Sequence, residues 1–163
     1  MLLLTWLGSF ATLTTICTAI VLGLLLRGRR WEASYLATCA LGAATSGTLL
    51  KLFFQRERPD AALRYIVGPP ESFSFPSGHT FGTAGVVGAL VMLVVAMRLR
   101  LAIRIVAGVV GLSLMLGVAA SRVYLGVHYP SDVLGGLLTA GAWVAAVTGW
   151  FYPRLLPAEA AKP

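Results

Sequence analysis

Apolar residues run almost without interruption through five stretches, roughly residues 3–26, 33–54, 78–97, 102–121 and 132–152. A helix crosses a hydrocarbon core with about 20 mostly apolar residues, so each stretch is long enough to span a bilayer. Polar residues are confined to short connectors between them. The pattern predicts an all-α fold: a polytopic membrane bundle of about five transmembrane helices, with residues 1–163 forming one integral membrane domain. It has no long-period repeat or interdomain linker, and the tail after Pro153 is expected to be mobile.

Composition agrees with that pattern. Of 163 residues, 58% are hydrophobic and only 12% charged, too apolar a balance for an ordinary soluble domain. The N-terminal stretch lacks the positive n-region of a secretory signal. Arg27, Arg29 and Arg30 follow it instead, which predicts a retained first helix with those arginines in the cytoplasm and the N-terminus outside. Five crossings then place Arg27, Arg29, Arg30, Arg98, Arg100, Arg104, Arg154 and Lys162 on the cytoplasmic side, against Lys51, Arg56, Arg58, Arg64 and Arg122 opposite. The excess has the sign expected of a cytoplasmic face. A net charge of +7 suits anionic lipid headgroups, while the scatter of basic residues gives no case for nucleic acid.

The residues capable of chemistry fall in three segments on one predicted face. Lys51 is followed, after six residues, by Arg58-Pro59. Pro76-Ser77-Gly78-His79 is unbroken. Ser121-Arg122 is followed after five residues by His128, and after three more by Asp132. Lys51 and Arg58 are two helical turns apart, about 10 Å along one face if the second helix continues that far, with Pro59 ending it. Such a pair can hold a phosphate, the guanidinium in bidentate fashion; each residue alone would read as a side chain snorkelling to the interface. Ser77 is a natural N-cap, and the free N–H groups of the turn it opens make an anion site where Gly78 lets a ligand approach. A capped helix start is the plainer reading of the same residues. Pro130 predicts that the fourth helix ends nearby and that the fifth begins at Ser131 or Asp132, leaving His128 on a turn. There a carboxylate can fix the imidazole tautomer so that the other nitrogen attacks phosphorus. An Asp at a helix start can equally be a cap, and a lone interfacial His a polar belt residue.

Together the three segments resemble the signature of the type 2 phosphatidic acid phosphatase superfamily, over Lys51 to Asp132, about half of the chain. The resemblance implies a membrane lipid phosphate phosphatase in which His128, His79 and Asp132 are the catalytic set. His128 would form a phosphohistidine, Asp132 would orient it, and His79 would protonate the leaving oxygen and later activate water. It implies that Lys51, Arg58 and Arg122, with Ser77 and the backbone at Gly78, hold the phosphoryl oxygens, and that no metal or other cofactor is needed. The carboxylates Glu57, Asp60, Glu71 and Asp132 show no metal-ligand spacing with histidine. The expected partner is a lipid phosphate or pyrophosphate, with undecaprenyl pyrophosphate first, phosphatidylglycerophosphate and phosphatidic acid next, and the lipid A phosphates after them. The expected place is a bacterial plasma membrane with the site on the extracytoplasmic face. Family members commonly have six helices with both termini in the cytoplasm, against five counted here. A related vanadate-dependent haloperoxidase and a non-catalytic lipid-phosphate binding or transport protein are the alternatives; five spans argue against the first, and the intact set of both histidines and Asp132 against the second.

Other positions read as structural. Cys17 and Cys39 behave as small apolar residues. Gly82, Gly85, Gly88, Gly135 and Gly136 favour close helix packing. Trp6, Trp150 and Tyr152 mark interfaces. In the loop from Gln55 to Phe75, Tyr65, Ile66, Phe73 and Phe75 either guide a headgroup or simply anchor at the interface. Arg56 and Arg64 read as exposed loop charges or as ligands of a second phosphate.

Overall fold

The computed structural model describes residues 1–60, 65 and 72–155. Arg64, Ile66, Glu71, Lys162 and most of the tail after Pro153 therefore lie outside the described residues. Within them the chain is all-helical, with α1 (Leu2–Leu7), α2 (Phe10–Leu26), α3 (Arg30–Phe54), α4 (Gly78–Ala96), α5 (Leu101–Tyr124) and α6 (Pro130–Leu155).

The hydrophobic pattern predicts one helix over residues 3–26, and the structure breaks it at Gly8-Ser9. Ser9 takes an extended conformation and its hydroxyl accepts from the Thr12 N–H, capping α2. Hydropathy cannot register this break, because a serine cap does not interrupt an apolar run. Four helices, α3 to α6, are each long and apolar enough to cross a membrane, and α2 is a shorter apolar helix of 17 residues. The remaining boundaries fall close to expectation. Helix α5 runs on to Tyr124, which places Arg122 inside its last turn. Helix α6 starts at Pro130, whose missing N–H suits a first helical position, and continues through Pro153 to Leu155.

Helix α4 is the most buried element and packs against α3, α5 and α6, whereas α5 turns most of its surface outward. Lipid chains are as apolar as leucine, so association of these helices depends on close fit. Gly85 lies where a Cβ would come within 2.6 Å of the Ala43 Cβ, which fixes the approach of α4 to α3. Gly42 admits the Trp143 indole, whose Nε1 donates to the Cys39 carbonyl at 3.2 Å, joining α3 to α6. Tyr35 and Thr148 share a buried hydrogen bond of 2.8 Å between the same two helices. Cys17 and Cys39 are free and buried in this core.

The consequence for chemistry is that the C-terminal ends of α3 and α5 meet the N-terminal ends of α4 and α6. Ser77 N–H donates to the Asp132 carbonyl at 3.1 Å, tying α4 to α6, and Tyr65 N–H donates to the carbonyl of Leu125 just beyond α5. All three motif segments therefore lie at one end of the bundle. The opposite end carries Arg27, Arg29, Arg30, Arg98, Arg100, Arg104 and Arg154 at or near the other helix termini.

Candidate active site

Lys51 projects from the last turn of α3, but Arg58 does not share its helix face. Gln55, four residues after Lys51, adopts a left-handed conformation (φ 45°) that ends the helix, and Arg58 comes from the chain beyond it. The proline at 59 signals an end, but the turn that ends the helix comes three residues before Arg58. Arg58 then reaches back over the third segment. Its Nε donates to the Ser72 carbonyl at 2.8 Å, and Nη1 donates to the Val127 carbonyl at 3.1 Å and lies 3.3 Å from His128 Nε2. Lys51 Nζ donates to the Phe73 carbonyl.

Ser77 occupies the N-cap position of α4, but its hydroxyl caps no backbone N–H; it is fully buried and accepts from Thr80 Oγ1 at 3.1 Å. The N–H groups of the first turn of α4 have no intrahelical acceptor, as at any helix start, and the helix dipole favours an anion there. His79 stands in that turn, half-buried and within the field of Arg122, Arg58 and Lys51. Arg122, 7% exposed, donates from Nη1 to Thr5 Oγ1 of α1, while its buried Nε has no partner among the described residues. An unsatisfied buried guanidinium N–H is costly and suits a site built to receive an anion.

His128 is 3% exposed and sits on the turn between α5 and α6, where Gly126 takes a positive φ of 70°. One ring edge, Nε2, faces Arg58. The other, Nδ1, lies 3.4 Å from Ser74 Oγ and 3.5 Å from Asp132 Oδ2. Burial first, and then the charges of Arg58, Arg122, Lys51 and His79, hold the imidazole well below its usual value of 6.5. It is neutral at ordinary pH and keeps an unprotonated nitrogen.

Asp132 is fully buried and surrounded by donors. Oδ2 accepts from the Ser74 hydroxyl and from the Tyr129 N–H at 2.9 Å, and Oδ1 accepts from Arg56 Nη1 at 2.8 Å. Since Tyr129 directly precedes α6, the carboxylate caps that helix while lying beside His128, so the two readings of Asp132 describe one geometry. Arg56 is no loose loop charge. It also donates to Ser131 Oγ at 2.7 Å and lies over the Tyr129 ring, 4.3 Å from its centroid. Ser74 and Thr5 carry no sequence signal of this role, because their partners are 58 and 117 residues away. Phe75 packs against Gly135 and stacks edge-on with Phe54 at 4.8 Å, so it wedges α3 against α6.

Beside these groups is an apolar cavity of about 510 Å³ between α2, α3 and α4. Leu13, Cys17, Ala40 and Ala44 line it, and Lys51, Gly78 and His79 close one end. Its lining residues Phe10, Leu22 and Leu41 are exposed, so it opens on the outside of the bundle.

Residues 31–155 match the PAP2 superfamily. The chain is 31% identical over 138 residues to phosphatidylglycerophosphatase B of Bacillus subtilis (strain 168), covering 82% of this chain and 64% of that protein. It is 35% identical over 127 residues to decaprenylphosphoryl-5-phosphoribose phosphatase of Mycobacterium tuberculosis (strain CDC 1551 / Oshkosh), covering 76% and 64% respectively. The chain thus spans a little under two thirds of the length of these relatives. Its structure superposes with a TM-score of 0.78 and 27% identity on the crystal structure of a transmembrane PAP2 type phosphatidylglycerolphosphate phosphatase from Bacillus subtilis, covering 90% of this chain and 72% of that one. Motif, fold and kinship agree, and this integral membrane protein belongs to the PAP2 superfamily.

Proposed function

We propose that the protein is a metal-independent lipid phosphate phosphatase that works through a phosphohistidine on His128. The observation that carries this reading is the placement of the buried, neutral His128 ring, with Nε2 against the Arg58 guanidinium and Nδ1 turned toward Asp132. A phosphoryl group held by Arg58, Lys51 and Arg122, with Ser77, the backbone at Gly78 and the first turn of α4, would present phosphorus to Nε2. The lone pair forms the P–N bond as the P–O bond to the lipid breaks, and His79 gives its proton to the leaving oxygen. Water then attacks phosphorus, the P–N bond breaks, and His79 takes the water proton. The cations stabilise the charge spread over the equatorial oxygens in both steps.

The cavity supports a substrate with an apolar tail, since an apolar channel ending at Lys51, Gly78 and His79 joins hydrocarbon to phosphate chemistry. Undecaprenyl pyrophosphate is the first choice. Relatives named for phosphatidylglycerophosphate and for a decaprenyl phosphate sugar support both diacyl and polyprenyl alternatives. The residues described hold only the shared phosphoryl group. We place the protein, as one membrane domain, in a bacterial plasma membrane with its site on the extracytoplasmic face, because the opposite end carries seven arginines.

Phosphate release by the detergent-purified protein in EDTA, from undecaprenyl pyrophosphate, phosphatidylglycerophosphate and phosphatidic acid, tests the reading and ranks the substrates. Ala44→Trp, which fills the cavity from α3, is expected to raise KM for the favoured lipid about tenfold, equivalent to ~1.4 kcal/mol of tail binding. Hydrolysis of a water-soluble phosphate ester should be unchanged. Equal loss on both would remove the cavity from the argument, and no release from any lipid would remove the phosphatase reading.

A further inference from the structure

A histidine nucleophile becomes cationic as its P–N bond forms, so whatever holds Nδ1–H sets both its tautomer and the stability of that cation. Direct contact with Asp132 is long here. Nδ1 lies 3.5 Å from Oδ2 and 3.4 Å from Ser74 Oγ, both longer than the usual 2.7–3.2 Å of an N–H···O bond, so the choice between the two acceptors turns on what else holds each of them. The carboxylate is also held from every other side, by the Ser74 hydroxyl and the Tyr129 N–H at Oδ2 and by Arg56 at Oδ1. It cannot slide toward the imidazole without loosening those three bonds.

Ser74 stands beside the same ring nitrogen and has an acceptor to spare. Its side chain is fully buried, and its Oγ lies 2.5 Å from Asp132 Oδ2 and 3.4 Å from His128 Nδ1. An ionised carboxylate only accepts, so the serine O–H must point at Asp132. That leaves the Oγ lone pairs toward Nδ1–H, and no other donor reaches them among the described residues. The backbone locks the arrangement: Ser74 N–H donates to the Arg56 carbonyl at 2.7 Å, while the Arg56 guanidinium grips the far oxygen of Asp132. The two residues form a strap across the carboxylate, braced by Tyr129 beneath the guanidinium.

We infer that Ser74 is a positioning residue for His128, its hydroxyl linking Nδ1–H to Asp132, with Arg56 fixing the carboxylate that terminates the link. The inference rests on the histidine reading above and goes beyond it in assigning the contact to a residue outside the three motif segments. In this arrangement Ser74 never meets the phosphate. Its loss weakens the nucleophile without loosening substrate binding.

Ser74→Ala is therefore expected to lower kcat about 10- to 100-fold, the usual effect of removing a hydrogen-bond partner that orients an imidazole. KM should move less than about threefold, because the cations that hold phosphate are untouched. Ser74→Thr, which keeps the hydroxyl, should recover most of the rate. In an Asp132→Ala background the same Ser74→Ala change should cost little more, since residues acting as one unit are not additive. A purely structural serine would give equal costs in both backgrounds and no rescue by threonine, and either result would overturn the inference. A second readout is independent of turnover. With only two histidines in the chain, ¹⁵N-histidine labelling resolves the His128 ring. A hydrogen-bonded Nδ1–H signal in the parent protein that is lost in Ser74→Ala supports the link, and an unchanged signal refutes it. Absence of phosphate release from the parent protein would count against the phosphatase reading, while the ring signal still decides the role of Ser74.

Discussion

Replacing His128 with alanine is expected to lower phosphate release by about 10⁴-fold or more, the scale seen when a nucleophile is removed from a site whose other members remain. The buried ring presents Nε2 3.3 Å from Arg58 Nη1, and the hydroxyl that also faces this guanidinium, Ser72 Oγ at 3.3 Å from Nη2, belongs to an exposed residue with no base beside it among the described residues. Binding should survive. Lys51, Arg58, Arg122 and the start of α4 are held by contacts that do not require the imidazole, apart from the 3.3 Å approach of Arg58. The variant is thus expected to bind inorganic phosphate or vanadate about as well as the parent, measured by titration, while turnover is lost. Loss of both together would instead indicate that the turn carrying His128 had collapsed.

Asp132→Ala is expected to damage rate and stability together. The carboxylate is completely buried, and its removal leaves the Ser74 hydroxyl, the Tyr129 N–H and the Arg56 guanidinium without their acceptor. Such orphaned donors cost 1–3 kcal/mol each when buried. The Arg56 side chain is 40% exposed and can rehydrate, so a total of about 2–4 kcal/mol is expected in detergent unfolding. Helix α6 also loses the charge at its positive end. The rate should fall by about 10³- to 10⁴-fold, as when a nucleophile's histidine loses its orienting carboxylate. Asp132→Asn keeps the shape and one acceptor oxygen, so it should recover much of the stability and little of the rate. A variant that is inactive but fully stable would show that the donors find other partners.

Much of this geometry is legible along the chain, for a physical reason. Membrane spans are written in runs of apolar residues, and a parity of crossings decides which connectors share a face; hence Lys51, Gly78, Arg122 and Asp132 fall at one end of the bundle. What hydropathy could not show is where a helix breaks without a change in polarity. Ser9 divides the first run by capping α2, and Gln55 ends α3 by adopting a left-handed conformation. The second break has the larger consequence. It takes Arg58 off the helix face of Lys51 and lets it fold back onto His128. Arg56 and Ser74 were beyond reach for another reason. An arginine in a polar connector and a serine before a proline are ordinary there, and only the tertiary fold brings them to a buried carboxylate more than fifty residues away.

The most direct test of the account is to trap the phosphorylated enzyme. Purified protein would be mixed with ³²P-labelled lipid phosphate, quenched in alkali to preserve a phosphorus–nitrogen bond, digested and mapped. Label on the peptide containing His128, absent from His128→Ala and both appearing and decaying more slowly in His79→Ala, is the predicted result. Phosphate released with no residue labelled at any time, or label on His79 instead, would contradict it.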